Sequence, residues 1–146
     1  IIGSPKEMRA LASSLARKFC GRKKKIKGAL VLALVCELGA GKTAFVQGFL
    51  RALGVRQKIT SPTFVLMKKY PLRRGIFRAA YHIDCYRLKS ARELSSLNFQ
   101  EILKDASGII LIEWAEKIKK VLPKSAVWLE FSHGAAATER TVQIRR

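Results

Sequence analysis

The sequence predicts an α/β domain in which strands alternate with helices and a hairpin adds antiparallel character. Three observations carry that expectation. Two short runs, ALVLALV (29–35) and GIILIEW (108–114), are apolar on both faces, as central strands covered from both sides must be. The segments between and around them repeat apolar residues at helical spacing. PLRRG (71–75) then separates two β-prone stretches in the manner of a hairpin turn.

Taken in order, residues 4–19 read as a helix. Ser4 and Glu7 form a capping box, Pro5 takes the first helical position, and Met8, Leu11, Leu15 and Phe19 make one apolar face. A basic turn leads into the strand 29–35. TAFVQGFLRALG (43–54) is helical again, with Phe45, Val46, Phe49, Leu50 and Leu53 on one stripe and Gly54 as terminal cap. TFVLMKKY (63–70) and IFRAAYHIDCY (76–86) are the hairpin strands. Residues 90–103 read as a helix and 108–114 as the second buried strand. A helix over 115–122 stops near Pro123, and AVWLEFS (126–132) and RTVQIR (140–145) close the chain as strands around a small-residue loop. No repeat or linker interrupts this order.

Composition narrows the class. The chain has 146 residues, 49% hydrophobic and 27% charged, enough for a real core. Its longest apolar run is far too short to span a bilayer, so no membrane association is expected. No export signal opens the chain. Cys20, Cys36 and Cys85 are odd in number and far apart, which argues against a zinc site or disulfide framework and for a reducing, cytoplasmic location. The net charge is +19, with basic clusters at 22–27, 68–69, 73–78 and 117–120. A nearby polyanion, RNA above all, would account for it; a lineage with basic, merely solvated surfaces is the competing reading.

One stretch carries chemistry. CELGAGKTAF (36–45) ends as the phosphate-binding motif G-x-x-x-x-G-K-[ST] should, but Cys36 stands where the first glycine belongs. Such a loop turns backbone N–H groups onto an anion at a helix N-terminus. Gly39 and Gly41 remain where the backbone must turn. Lys42 would reach the β- and γ-phosphates and Thr43 would offer its hydroxyl to Mg²⁺. A small side chain at 36 is compatible if its backbone angles stay negative. The plain alternative is a Gly-rich turn joining strand to helix. The guanine-reading Asn-Lys-x-Asp is absent, the only asparagine being Asn98, so ATP is the expected nucleotide. Asp84 and Glu113, each at the end of an apolar strand, are candidate metal or water partners, against the alternative of a cap or surface ion pair.

These motifs coincide in one family. ELGAGKTAFVQGFLRALGV, ITSPTFVLMKKY, YHIDCYRL, ELSSLNFQEIL and IILIEWAEKI resemble, in order and spacing, the TsaE (YjeE) family of small P-loop ATPases of tRNA threonylcarbamoyladenosine synthesis. The resemblance implies a P-loop NTPase-like three-layer sandwich with a mixed sheet containing an antiparallel hairpin, residues 1–146 forming a single ATPase domain. It implies ATP and Mg²⁺ as cofactors and TsaD and TsaB type proteins as partners, modifying tRNAs that read codons starting with A. Contact with tRNA, direct or through the basic surface, stays open.

Carried over to this chain, the nucleotide falls on Glu37, Leu38, Gly39, Ala40, Gly41, Lys42, Thr43 and Ala44. The magnesium ligands are Thr43 and Glu113, and the catalytic set is Lys42, Asp84 and Glu113. TSPTF (60–64) corresponds to a switch-like segment near the γ-phosphate, and Trp114 is a family position without an assigned role. The chain departs from the family at Cys36, at Ala44 where a second threonine is usual, at Ala115 where proline is usual, and at Met8, near a position that is often threonine. Two other functions compete. A small-molecule kinase on the same fold needs a basic lid, for which RRGIFR (73–78) is the sole candidate. A non-catalytic RNA-binding module would bind RNA without regard to ATP.

Overall fold

The computed structural model describes residues 1–21, 27–60 and 66–146. The basic run at 22–26, most of TSPTF and the start of the first hairpin strand therefore lie outside the described residues. Among the described residues six strands form one sheet: β1 (Leu30–Cys36), β2 (Met67–Pro71), β3 (Ala79–Asp84), β4 (Gly108–Glu113), β5 (Val127–His133) and β6 (Arg140–Arg145). Their order is β2-β3-β4-β1-β5-β6. The four inner strands run parallel, while β2 and β6 pair antiparallel at the two edges. The carboxyl ends of β1, β3, β4 and β5 therefore share one rim of the sheet, where an open parallel sheet binds its ligands. Pro71 is tolerated because β2 is an edge strand.

The two both-face-apolar runs are β1 and β4, paired side by side at the centre. Period-two alternation divides their side chains between two cores. On one face Leu30, Leu32, Leu34, Ile109 and Leu111 pack against α1 (Pro5–Cys20) and α2 (Lys42–Ala52). On the other, Val31, Ala33, Ile110 and Ile112 meet Leu94, Phe99, Ile102 and Ile118. Helices on both faces of a mixed sheet make the three layers that the family resemblance implies.

The helix ends show how far local rules reach. Ser4 Oγ accepts from the Glu7 amide at 3.2 Å, but the Glu7 carboxylate takes the Gly3 amide, one residue before the expected partner. The α2 helix ends in a Schellman turn. Val55 N–H donates to Leu50 O and Gly54 N–H to Arg51 O, with Gly54 at φ +96°. The stretch predicted as one helix over 90–103 is two: a 3-10 helix at Ala91–Leu97 and α3 at Phe99–Lys104. Asn98 separates them at φ +54°, a left-handed conformation that asparagine tolerates. The segment after β4 is likewise 3-10, Ala115–Val121, with Ile118 off helical geometry.

Candidate functional site

The loop after β1 and the start of α2 stand at the shared rim. Cys36 is the last residue of β1, opposite Phe131 of β5, and its side chain is buried on the α1/α2 face. Its backbone is extended: among the described residues other than glycine, only Asn98 and Trp114 have positive φ. The position of the missing first glycine therefore needs no glycine. The Cys36 thiol donates to Glu37 O at 2.7 Å. Burial pushes its pKa up, with Lys42 and the Ala40 and Lys42 amides acting in the opposite direction.

The two glycines that remain are required. Gly39 and Gly41 take φ of +78° and +98°. At Gly41 a Cβ would also come within 2.9 Å of Met8 Cε, so α1 packs directly beneath the loop. Gly41 begins α2 and makes no side-chain cap, so the N-cap residue offers the first-turn amides no acceptor. An anion fits that need. Phe45 fixes the helix that presents these amides, its ring stacked on Phe49 and edge-on to Phe131 of β5. Thr43, in the first turn, is exposed.

Two further side chains brace the loop from the far edge of the sheet. His133 Nε2 lies 3.1 Å from Leu38 O, and Arg140 Nε donates to Gly39 O at 3.3 Å. Neither was expected from the sequence, since each acts across about a hundred residues of chain and the only available signal is the pairing of β5 with β1.

The two predicted carboxylates meet at the same rim. Asp84 and Glu113 are register partners at the ends of β3 and β4, on the α1/α2 face. Asp84 Oδ1 accepts from the Tyr86 amide at 2.9 Å. Burial holds the Asp84 carboxyl above its ordinary pKa; the Tyr86 amide opposes this, Glu113 reinforces it, and Lys42 and His82 oppose it. Glu113 is buried, and His82 Nε2 approaches its Oε1 to 3.5 Å. Neither nitrogen of the buried His82 ring has a hydrogen-bond partner among the described residues. The i, i+2 relation of His82 to Asp84 could have identified it from sequence.

Trp114 packs beside the loop. It sits at φ +57°, which costs a residue other than glycine roughly 1–2 kcal/mol. Its ring lies 4.3 Å from Lys42 Nζ and 5.1 Å from the Tyr86 ring. Lys117 donates to Tyr86 O, closing the platform. The structure thus brings together the loop 37–44, Asp84, Glu113 and Trp114. Of TSPTF only Thr60 lies within the described residues, so the expected switch-like segment lies outside them.

A family profile described as "Threonylcarbamoyl adenosine biosynthesis protein TsaE" matches residues 2–142. Curated relatives named tRNA threonylcarbamoyladenosine biosynthesis protein TsaE include one from Treponema pallidum, 39% identical over 66% of this chain and 68% of the relative. The Bacillus subtilis protein is 39% identical over 64% and 56% of the two chains, and that of Rickettsia felis 37% over 84% and 65%. The match thus spans roughly three fifths of these relatives' own lengths. The crystal structure of Bacillus subtilis YdiB superposes with a TM-score of 0.71 at 30% identity, covering 95% of this chain and 78% of that one.

Proposed function

The chain belongs to the TsaE family, and from that premise we propose that it binds and hydrolyses ATP with Mg²⁺ in support of TsaD and TsaB type proteins that form threonylcarbamoyladenosine in tRNA. One observation carries the reading. A phosphate-type loop with uncapped helix amides, Lys42 and Thr43 stands at the same sheet rim as two carboxylates in register, Asp84 and Glu113. A turn that merely linked strand to helix would require neither carboxylate.

The roles follow from what each group can do. Loop and first-turn amides receive the β- and γ-phosphates, and the Lys42 ammonium adds a point charge to them. The Thr43 hydroxyl and the Glu113 carboxylate would hold Mg²⁺, with His82 behind Glu113 to set its orientation. The metal, when bound, neutralises charge on the phosphates. Asp84, at the carboxyl end of β3, would orient the attacking water. The site is one ATPase domain over residues 1–146, with tRNA reached directly or through its partners.

Phosphate release from ATP, measured with and without purified TsaD–TsaB, tests the proposal. Slow release alone, faster release with the partners, and no release from Lys42→Ala are the expected results. Partner-independent release that survives Lys42→Ala would overturn it.

A further inference from the structure

Two clefts of the described surface lie away from the phosphate loop. They lie at the other end of α2, an eleven-residue helix whose two ends are about 16 Å apart along its axis. One cleft, of about 570 Å³, runs between the turn after α2 and the β2–β3 connection and is lined by Arg51, Arg56 and Arg74. A neighbouring cleft of about 470 Å³ shares Arg56 and Arg74 and adds Arg73. All four arginines are exposed.

The sequence leaves this charge without internal compensation. Between Glu37 and Asp84 the chain carries nine Lys or Arg residues and no Asp or Glu. Among the described residues, ion pairs join Lys104 to Glu101 and Arg145 to Glu130, His82 lies beside Glu113, and none of these contacts involves the four arginines. The walls that present them are fixed. Arg51 Nη1 donates to Val55 O at 2.9 Å across the Schellman turn. The connection opposite is pinned by the buried Leu72 and Phe77, and Leu72 N–H donates to Arg78 O at 2.8 Å.

We propose that this groove is a second anion site and that its occupant is the phosphodiester backbone of RNA. Guanidinium forks match pairs of phosphate oxygens, and four along one groove call for a ligand that repeats its phosphates. Among the described residues no aromatic side chain lines the groove, so no base-stacking platform accompanies the arginines and its contacts would go to phosphates. Contacts of this kind position RNA without reading its bases. The anion site stands on its own geometry; the choice of RNA as occupant rests on the tRNA-modifying role proposed above.

Fluorescence anisotropy with a labelled RNA stem-loop, without nucleotide, tests it on the full chain. Arg73→Ala/Arg74→Ala and, separately, Arg56→Ala are compared with Lys119→Ala/Lys120→Ala, which removes equal charge on the helix across the sheet. The double groove variant should bind on the order of tenfold more weakly, and the slope of log affinity against log salt should fall by about two. The lysine control should stay within about twofold of the parent, at matched melting temperatures. Groove variants that bind RNA like the parent, or lose no more than the lysine control, would overturn the proposal. So would variants that keep RNA affinity but lose binding to polyglutamate, which would give the groove to an acidic protein. Phosphate release from ATP should remain parental in every groove variant. A parent that binds RNA but releases no phosphate would sink the ATPase reading and leave this one standing.

Discussion

The Lys42 ammonium lies 4.3 Å from the centre of the Trp114 ring, so the lysine of the phosphate loop reports its position to an indole. Such a contact contributes about 0.5–1 kcal/mol at a partly exposed site. A phosphate that draws the ammonium away changes the surroundings of the ring. The chain has two tryptophans, so Trp128→Phe leaves Trp114 as sole reporter. Its emission should change saturably on ATP addition, and Lys42→Ala should remove that response. An emission that ignores ATP while calorimetry records binding would refute the coupling.

Lys42→Ala should weaken ATP binding by roughly a hundredfold or more, because a point charge on the phosphates is lost. The fold should survive, since the Lys42 side chain lies outside both apolar clusters. Unchanged affinity, with an intact circular dichroism spectrum, would remove the loop from the binding site.

Asp84→Asn separates stability from activity. Burial raises the folded-state pKa of Asp84 above its unfolded value. The folded state therefore holds the proton more tightly, and ionisation penalises folding as pH rises from the unfolded to the folded pKa. Asparagine removes that penalty. In EDTA, melting should occur at higher temperature than in the parent at neutral pH, and the gap should close as pH falls from the raised folded value to the ordinary aspartate value. Mg²⁺-dependent phosphate release should fall strongly, as it should for Glu113→Gln. Parental turnover in both variants would contradict the roles given to the carboxylates.

Cys36→Gly should cost about 1–2 kcal/mol, from lost side-chain burial and added chain freedom. Since the cysteine backbone is already extended, glycine relieves no strain there, and ATP affinity should stay within about twofold. A marked loss of affinity, read by titration calorimetry, would mean that the thiol itself contributes to the site.

Legibility followed physical locality. The strands β1 and β4 could be read because a strand buried on both faces has no polar alternation, and the end of α2 because Gly54 alone permits its turn. The break at Asn98 could not: one left-handed residue leaves apolar spacing nearly intact, so 90–103 still reads as one helix. In the site, the Gly-Lys-Thr run put Lys42 and Thr43 at the start of a helix, and residue type singled out Asp84 and Glu113 at strand ends; the roles given to them are those proposed above. Trp114 was visible as a position but not as a partner of Lys42, which requires knowing that the loops after β1 and β4 adjoin. His133 and Arg140 reach the loop from 95 and 101 residues away, a distance that only sheet order shortens.

That last bracing has a mechanical consequence. Arg140 holds Gly39 O through its side chain while its backbone exchanges hydrogen bonds with Ile2 in both directions, each at 2.7 Å. The start of the described chain, the first residue of β6 and the crest of the phosphate loop are thus yoked by one residue. A load on either end of the chain, from a fused tag or a bound protein tugging at β6, is transmitted to the loop without crossing the core. Amide exchange at residues 38–41 should therefore quicken when Arg140→Ala cuts the yoke, while exchange in β4 stays as slow as before.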